Sequence, residues 1–437
     1  MKESVRKRSL EYSIRDGLAW SVNSGLGASY ITPYALALNA NAIQVGLLTS
    51  VPTLAASLSE LKTPQLMQRM SRKRIVTSCA LLQALTWIPI SLVGLLFLLS
   101  GFDGLVAPTL VILLYTGYQL LGSLATPAWS SWMGDLVPEG ERGRFFGRRN
   151  TIIGLSGILA MLAGGFFLNA FSREEVLLGF LTLFLLAMVA RLTSWYFLTQ
   201  QYEPKFQYRE EYYFSFSSFI RRAKDNNFGR FTLYIAFMTT AVYFAAPFFS
   251  VYMLQELKFS YLTFVIITLS SSLTHVIFMP LWGRFSDRHG NLISLRIAGL
   301  LIPLIPLLWL LSSDPIYLVL VEAFGGFAWA GFDLASVNFI YDAVSRQRMG
   351  LCFAYFGVLN GVGTFAGATL GGLFATYCRV GFTSVFLLIF LLSGVSRLAV
   401  SAVMLPRIKE VRKVAPVRPL WYFLGGVIRR RPPVHSH

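Results

Sequence analysis

Charged residues are scarce in this sequence. Asp, Glu, Lys and Arg make up 14% of its 437 residues, and hydrophobic residues make up 55%. Soluble domains carry about a quarter charged residues, so this composition favours a membrane-embedded chain. The three cysteines, Cys79, Cys352 and Cys378, are too widely spaced to suggest a metal site or a disulfide framework. The basic N-terminus is not followed by a short apolar core and a small-residue cleavage site, so we expect no cleaved signal peptide.

Nucleotide-binding and catalytic motifs are also missing from the sequence. It contains no phosphate-binding Gly-Lys-Ser/Thr loop, so we do not expect ATP to drive a reaction within this chain. Acidic, His and Cys residues do not recur together at a catalytic or metal-binding spacing. We therefore expect neither an enzyme nor a bound metal or other cofactor.

Long apolar runs are the main feature of the sequence. A helix needs roughly 20 apolar residues to cross a hydrocarbon core ~30 Å thick. We number the qualifying runs as spans one to twelve: 16–38, 42–61, 74–99, 105–133, 150–170, 175–199, 230–254, 261–282, 292–311, 315–340, 352–376 and 380–404. The sequence therefore predicts an all-α polytopic membrane protein with twelve transmembrane helices.

The formal net charge of +17 is distributed unevenly between the connections. If the N-terminus is inside, the inner connections and the tail hold almost all Lys and Arg residues. The outer connections hold only Arg173, Lys258 and Arg379. Cytoplasmic loops carry such an excess of basic residues. We therefore expect a multi-pass cell-membrane protein with both termini in the cytoplasm, a basic face that contacts membrane lipids, and no nucleic-acid partner.

The two halves of the chain contain matching residues at an offset of about 206 residues. Arg191-Leu192 in span six matches Arg397-Leu398 in span twelve. Parallel six-helix repeats joined by a long cytoplasmic linker are a recurring transporter plan. We expect a six-helix bundle at 1–199, a linker at 200–229, a second six-helix bundle at 230–405 and a basic cytoplasmic tail at 406–437.

The connection between spans eight and nine carries the pattern Gly-x-x-x-Asp-Arg-x-Gly within Trp282-Gly-Arg-Phe-Ser-Asp-Arg-His-Gly-Asn291. With the twelve spans and the two repeats, this pattern resembles the cytoplasmic loop motif of the major facilitator superfamily (MFS). The resemblance implies that the acid of the motif helps to hold the cytoplasmic side shut. We expect a conformational latch formed by Gly283, Asp287, Arg288, Gly290, Arg346 and Arg348.

Physical arguments support parts of this latch. Gly290 permits a tight reversal, Gly283 would let a neighbouring helix approach closely, and Asp287 could face the N-terminal end of span eleven. The loop departs from the family pattern at Asn291 and Leu292, where basic residues are usual. The first-half copy at 64–74 has lost the acid and both glycines, so we expect the latch in the second half alone. The alternative is a merely solvated turn.

The resemblance also implies that spans one, four, seven and ten line a central cavity. Polar and aromatic residues follow one face of each of these spans at helical spacing. We expect substrate contacts from Trp20, Asn23, Tyr30, Tyr34, Tyr115, Tyr118, Gln119, Tyr243 and Trp329. Helix packing is the alternative explanation for such aromatic stripes.

Two acids in span ten suggest proton coupling. Glu322 and Asp333 are separated by about three helical turns, so both face the same way. An acid inside a membrane costs roughly 2.5–3.5 kcal/mol, which makes a functional role the default hypothesis. Burial favours the neutral acid, so Glu322 could exchange a proton as water enters and leaves, and Asp333 could relay it. Alternatively, Glu322 binds a cationic substrate. We interpret His275 as a hydrogen-bonded packing residue and Arg191 and Arg397 as structural.

These features predict a secondary active transporter that moves a small-molecule substrate by alternating access. We expect a monomer, with protons as candidate coupling ions. A drug or amphiphile efflux antiporter is one alternative, although span five lacks the Gly-Pro pair that many family drug antiporters have. A receptor or a lipid scramblase on the same scaffold is another alternative. The sequence does not specify the substrate.

Overall fold

The structure is a computed structural model that describes residues 3–100, 105–138, 142–172, 175–204, 216–344, 349–378 and 384–411. Within these ranges the regular secondary structure is entirely helical, with no strand. Successive long helices reverse direction through short connections. The prediction of an all-α polytopic membrane fold is confirmed.

The first half contains spans one to six. Span one consists of Glu3–Leu26, a 3-10 turn at Ala28–Tyr30 and Ile31–Ala37; spans two to six are Ala42–Glu60, Arg72–Ser100, Val106–Leu136, Arg142–Asn169 and Val176–Gln200. The break in span one precedes Pro33, which cannot donate a main-chain hydrogen bond to the preceding turn. At the break, a methyl group on Gly27 would lie 2.4 Å from the Trp87 ring, so this close approach requires glycine.

The second half contains spans seven to twelve. Span seven consists of Asn227–Tyr243, Ala246–Val251 and a π-helical turn at Tyr252–Glu256; span eight is Tyr261–His289; span nine is Asn291–Leu301 with Leu304–Leu308; spans ten to twelve are Pro315–Ala343, Met349–Tyr377 and Val385–Met404. Span seven, like span one, breaks just before a proline, here Pro247. Two short helices, Thr63–Arg69 and Phe216–Arg222, lie in the connections.

Eleven helices of the described ranges are long and apolar enough to cross a membrane. Span one is the exception because its first helix extends into charged residues and its apolar stretch is divided at Gly27. Large apolar side chains on the outer surface are exposed, for example Leu113 at 62% and Leu320 at 65%. This exposure suits lipid, because hydrocarbon tails are as apolar as leucine. The chain is therefore a multi-pass membrane protein.

Because the spans alternate in direction, their ends form two membrane faces. One face holds Glu3, Gln200, Asn227 and Met404, and we call it the terminal face. The other holds the connections after the odd-numbered spans, and we call it the opposite face. Of the predicted linker, residues 205–215 lie outside the described residues, as does the tail beyond 411.

The two halves contact each other along spans two and eleven and near the opposite face. A methyl group on Gly46 of span two would lie 2.5 Å from the carbonyl oxygen of Ala368 in span eleven. At the opposite face, the rings of Phe180 and Tyr261 meet edge to face with centroids 5.5 Å apart. The opposite face is therefore held together by contacts between the halves.

Candidate functional site

Each half of the chain contains a cavity of similar size. The first-half cavity has a volume of about 620 Å³ and is lined by all six spans of its half. The second-half cavity has a volume of about 610 Å³ and is lined by spans seven, nine, ten, eleven and twelve. Both combine aromatic and charged side chains. The charged lining residues are Asp16, Glu60, Arg149 and Arg191 in the first half, and Glu322, Asp333 and Arg397 in the second.

Glu322 lies in the second-half cavity, as its position on span ten suggests. The indole Nε1 of Trp309 in span nine donates a hydrogen bond of 3.0 Å to one of its carboxylate oxygens. Ser271 of span eight provides a second side-chain contact. Tyr243 and Trp329 line the same cavity. The predicted residues of spans seven and ten are therefore brought together in one place.

Asp333 lines the same cavity closer to the terminal face, with its side chain 54% exposed. His275 of span eight lies within hydrogen-bond distance, with Nε2 3.2 Å from a carboxylate oxygen of Asp333. The sequence predicts a hydrogen-bonded packing histidine here, and Asp333 is its partner. This contact places an imidazole beside the acid that we assign to proton relay.

Arg397 and Arg191 are both almost completely buried, at 2% and 5% exposure. Arg397 donates to the Ser393 hydroxyl at 3.0 Å and to main-chain carbonyl oxygens of spans seven and nine at 3.4 Å. Arg191 donates to the Gln83 side chain at 2.6 Å and to Ser194 at 2.7 Å. Neither side chain extends to the surface. Arg397 thus joins spans seven, nine and twelve, and Arg191 joins span six to span three.

Four of the predicted residues line the first-half cavity: Trp20, Tyr115, Tyr118 and Gln119. The rings of Tyr115 and Tyr118 are stacked, with centroids 5.7 Å apart and planes 9° apart. Trp20 is 42% exposed, which is high for a tryptophan inside a helical bundle. Its indole is therefore available to contact a ligand.

Asn23 takes a packing position instead of a cavity position. It is fully buried, its amide donates to the Tyr118 hydroxyl at 2.7 Å, and its carbonyl oxygen accepts from Trp87 at 2.8 Å. An amide with both ends bonded between spans one, three and four acts as a brace. Asn23 thus lies between helices in this structure, and its contact with substrate stays a prediction.

Tyr30 and Tyr34 also lie in the helix interior. Both are fully buried. Tyr30 donates its hydroxyl proton to the main-chain carbonyl of Met161 in span five, and Tyr34 donates to that of Ile90 in span three at 2.8 Å. The break after Leu26 changes the helical phase, so the two tyrosines no longer continue the stripe of Trp20.

Sequence reasoning missed three charged residues of the first-half cavity. Asp16, Glu60 and Arg149 all line it. Each falls at the end of a predicted span, where a charge usually faces lipid headgroups or water. The helices of Asp16 and Arg149 instead begin before those ends, and the two residues are 4% and 8% exposed. The helix of span two ends at Glu60.

The connection between spans eight and nine contains the predicted turn. Gly290 has φ 99°, a conformation that other residues rarely adopt, so a side chain there would be strained. Asp287 and Arg288 are exposed. A methyl group on Gly283 would make only an ordinary contact of 3.7 Å with Leu334, so the predicted close helix approach does not occur there. Arg346 and Arg348 lie outside the described residues.

The close approach between spans eight and ten occurs at other glycines. A methyl group on Gly326 would lie 2.0 Å from the carbonyl oxygen of Ser271, and one on Gly331 would lie 2.6 Å from the Trp282 ring. These glycines bring the two helices together, and Gly326 lies about one helical turn from Glu322. The neighbouring Gly325 lines the cavity.

Asn291, a departure from the family pattern, is the buried centre of this loop. It is fully buried and donates to a carboxylate oxygen of Asp342 at the end of span ten at 2.5 Å. Its own carbonyl oxygen accepts from the Ser286 hydroxyl. A neutral amide therefore joins spans eight, nine and ten at the terminal face.

The matching position in the first half is Arg72. Its side chain is fully buried and donates to Asp135 at the end of span four at 2.5 Å, and one nitrogen lies 3.6 Å from Glu203 after span six. A third contact goes to the carbonyl oxygen of Pro204 at 3.0 Å. Although the sequence predicts a latch in the second half alone, Arg72 joins spans three and four of the first half at this position through charged contacts.

The residues after span twelve form a strap across the terminal face of the second half. The main chain of Lys409 exchanges two hydrogen bonds of 2.8 Å with the Asn227 side chain at the start of span seven. A carboxylate oxygen of Glu410 accepts from the main-chain nitrogen of Leu292 at the start of span nine, also at 2.8 Å. Negative charge is favourable at a helix N-terminus. The strap thus connects the ends of spans seven, nine and twelve.

Metal binding has no support in the part of the chain that the structure describes. No group of three or more His, Cys, Asp or Glu side chains there is placed to hold a metal ion. The acids of the two cavities contact tryptophan, serine, histidine or arginine side chains instead.

Comparison with known proteins agrees with this architecture. The sequence model of the Major Facilitator Superfamily matches residues 17–268 and 231–434. An uncharacterized transporter of Schizosaccharomyces pombe is 33% identical over 106 residues, which are 24% of this chain; the match spans only 19% of the length of that curated relative.

Solved structures with the same fold include a nucleoside transporter and a xylose transporter. The nucleoside transporter NupG is 15% identical with a TM-score of 0.66, covering 93% of this chain and 100% of that one. The inward-open xylose transporter XylE from E. coli is 12% identical with a TM-score of 0.68, covering 92% and 96%. The chain belongs to the Major Facilitator Superfamily of membrane transporters.

Proposed function

We propose that the chain is a secondary active transporter that moves a small organic solute across the cell membrane by alternating access, coupled to protons. The observation that carries the proposal is Glu322, an acid inside span ten that faces the second-half cavity and bonds to Trp309. An ionisable residue at membrane depth is costly and marks a substrate or proton pathway by default.

The arrangement of the two cavities supports alternating access. One cavity lies in each half, and the halves meet at the opposite face through Phe180 and Tyr261. Asp16, Glu60 and Trp129 extend the first-half cavity towards the terminal face. In this state the solute enters between the halves from the terminal face. Separation of the halves at the opposite face would expose it to the other side.

Proton exchange follows from the environment of the acids. Glu322 contacts Trp309 and Ser271 and shares the cavity with Arg397, and we assign to it the proton that is exchanged with water entering the cavity. Asp333 lies nearer the terminal face and contacts His275. These two residues would pass the proton between Glu322 and water at that face.

The orientation and subdivision of the chain are part of the same proposal. The excess of Lys and Arg at the terminal face supports a cytoplasmic location for both termini. We divide the chain into bundles at 1–199 and 230–405, a linker at 200–229 and a tail at 406–437. The protein acts as a monomer, because each half supplies its own cavity within one chain.

We also propose a conformational latch at the terminal face. Asp287 and Arg288 at the exposed end of span eight would contact Arg346, Arg348 or the start of span eleven when the terminal face closes. Gly290 supports this role by fixing the turn that follows them.

The cavities favour a planar or polyhydroxylated solute. Trp20 and Tyr115 in the first half and Trp329 in the second offer aromatic faces beside hydroxyl and amide groups. Sugars and nucleobases bury such faces while their polar groups are hydrogen-bonded. The structural neighbours described as nucleoside and xylose transporters support the same substrate class.

Accumulation and exchange measurements in proteoliposomes test the proposal. A thermal-shift screen of nucleosides and pentoses first identifies a solute that binds. Glu322→Gln should then abolish accumulation driven by a pH gradient while exchange of labelled solute continues. Glu175→Gln, the same change at an exposed residue of the opposite face, serves as the control and should leave both activities intact.

Loss of exchange together with accumulation in Glu322→Gln, while solute still binds, would rule out proton coupling in this form. It would favour direct binding of a cationic solute by Glu322. Absence of any exchange by the wild-type protein, with a solute that binds, would favour a receptor over a transporter.

A further inference from the structure

Two arginines on the wall of the first-half cavity share one carboxylate. Asp16 of span one accepts a hydrogen bond of 2.6 Å from Ser194, and its other oxygen lies 3.6 Å from a guanidinium nitrogen of Arg149. Ser194 also accepts from Arg191 at 2.7 Å, so the hydroxyl connects the second guanidinium to the same acid. All three charged groups line the cavity.

Arg149 is held by a main-chain carbonyl and an aromatic ring, beside the carboxylate of Asp16. Its Nε donates to the main-chain carbonyl of Ser13 at 3.1 Å, and its guanidinium carbon lies 4.4 Å from the centre of the Trp129 ring. Charge-assisted hydrogen bonds between a guanidinium and a carboxylate are about 2.7–2.9 Å long. The separation of 3.6 Å from Asp16 is therefore a loose ion pair.

Arg191 bonds to neutral side chains. Its Nε and one terminal nitrogen donate to the same oxygen of Gln83, at 3.1 and 2.6 Å. Glu60, the other acid of this cavity, lies at the end of span two, 3.4 Å from the hydroxyl of Ser123 in span four. Positive charge thus exceeds negative charge on the side formed by spans one, five and six.

We propose that the first-half cavity binds an anionic group of the substrate, a carboxylate or a phosphate, and that Arg149 recognises it. An anion there would compensate the second guanidinium, and arginine presents a planar set of donors that matches both groups. Trp20 and Trp129 would contact a planar body attached to the anion. This inference rests on the proposed function and specifies its substrate class.

Four small aromatic probes test the charge preference directly. Benzoate, phenyl phosphate, benzamide and benzylamine carry the same ring with an anionic, anionic, neutral and cationic group. Binding is measured as the shift in unfolding temperature of the purified full chain in detergent, without a pH gradient. We expect at least one of the two anions to bind tenfold more tightly than benzamide and benzylamine. The preferred anion distinguishes a carboxylate substrate from a phosphate substrate.

Variants then assign the preference to Arg149. Arg149→Gln should weaken binding of the preferred anion tenfold or more, whereas Arg149→Lys should retain part of it. Arg15→Gln removes a positive charge from the exposed side of span one and should leave binding unchanged. Asp16→Asn removes the competing carboxylate and should tighten anion binding, which tests the site even if Arg149→Gln does not fold.

Equal binding of the four probes, or no binding by either anion, would overturn the proposal. Unchanged anion affinity in a folded Arg149→Gln protein, or in Asp16→Asn, would do the same. Because binding is measured without transport, a failure here leaves the Glu322 experiments unaffected. Conversely, a receptor that does not transport could still bind the anion.

Discussion

Replacing Arg72 should destabilise the first half measurably. Its buried guanidinium contacts Asp135 at 2.5 Å, Glu203 at 3.6 Å and the carbonyl oxygen of Pro204 at 3.0 Å. Removing one partner of a buried ion pair costs about 3–5 kcal/mol. The Asp135 side chain is 49% exposed, so water can solvate it after the arginine is lost. We therefore expect Arg72→Gln to cost about 3 kcal/mol, the lower end of this range.

The measurement is thermal unfolding of the purified protein in detergent at one fixed heating rate. For a unit the size of one half, a loss of about 3 kcal/mol corresponds to a decrease in unfolding temperature of roughly 6–12 °C. Arg74→Gln is the matched control, because Arg74 lies two residues further along the same helix and is exposed. It should change the free energy of unfolding by less than about 0.5 kcal/mol.

Equal shifts in Arg72→Gln and Arg74→Gln would refute the reasoning, because the buried contacts would then contribute nothing to stability. The second half provides a further comparison. Asn291→Ala removes one hydrogen bond to the Asp342 carboxylate and one from the Ser286 hydroxyl, but no ion pair. It should cost less, about 1–2 kcal/mol. A larger loss at Asn291 than at Arg72 would reverse the proposed difference between the two halves.

Three further predictions concern the latch, the packing of span eleven against span seven, and the topology. Asp287→Asn should weaken closure of the terminal face by no more than about 1 kcal/mol, because Asp287 is exposed, and should lengthen distances between spin labels at the terminal ends of the two halves. Unchanged distances and unchanged transport would favour a solvated turn. Gly367→Ala should lower the unfolding temperature, because the added methyl group would lie 2.3 Å from a carbonyl oxygen of span seven, whereas Gly117→Ala adds a methyl group in open space and should leave it unchanged. Equal unfolding temperatures of the two variants would contradict the close packing. A cysteine at Gln207 should be protected from a membrane-impermeant reagent in intact cells and one at Ser260 should react, and the reverse pattern would contradict the cytoplasmic assignment.

The positions of the spans could be predicted because apolar length is a property of the sequence alone. The position of Glu322 in a cavity could also be predicted, since an acid in the middle of an apolar run is too costly to place against lipid. Asp16, Glu60 and Arg149 could not, because each lies at a predicted span end. Hydropathy does not distinguish a charge that faces headgroups from one on a helix that continues into the protein interior.

Helical periodicity could also not show whether a side chain faces the cavity or packs against another helix. Asn23 and Trp20 lie on neighbouring turns of span one, yet one is fully buried and the other is 42% exposed. Span one packs against other helices on several sides, so a polar stripe does not show which side meets the cavity. Close contacts such as that of Gly326 with Ser271 depend on the relative placement of two helices, which the sequence pattern does not contain.

The strap after span twelve restricts how the second half can move. Hydrogen bonds between Asn227 and Lys409 and from the Leu292 main-chain nitrogen to Glu410 fix the relative axial positions of the helices they join. Sliding one of these helices along another would break bonds at the terminal face, whereas rotation of the whole half would preserve them. Conformational change in this half should therefore be a rigid-body rotation about its contacts with the first half, and not a shear between its own helices.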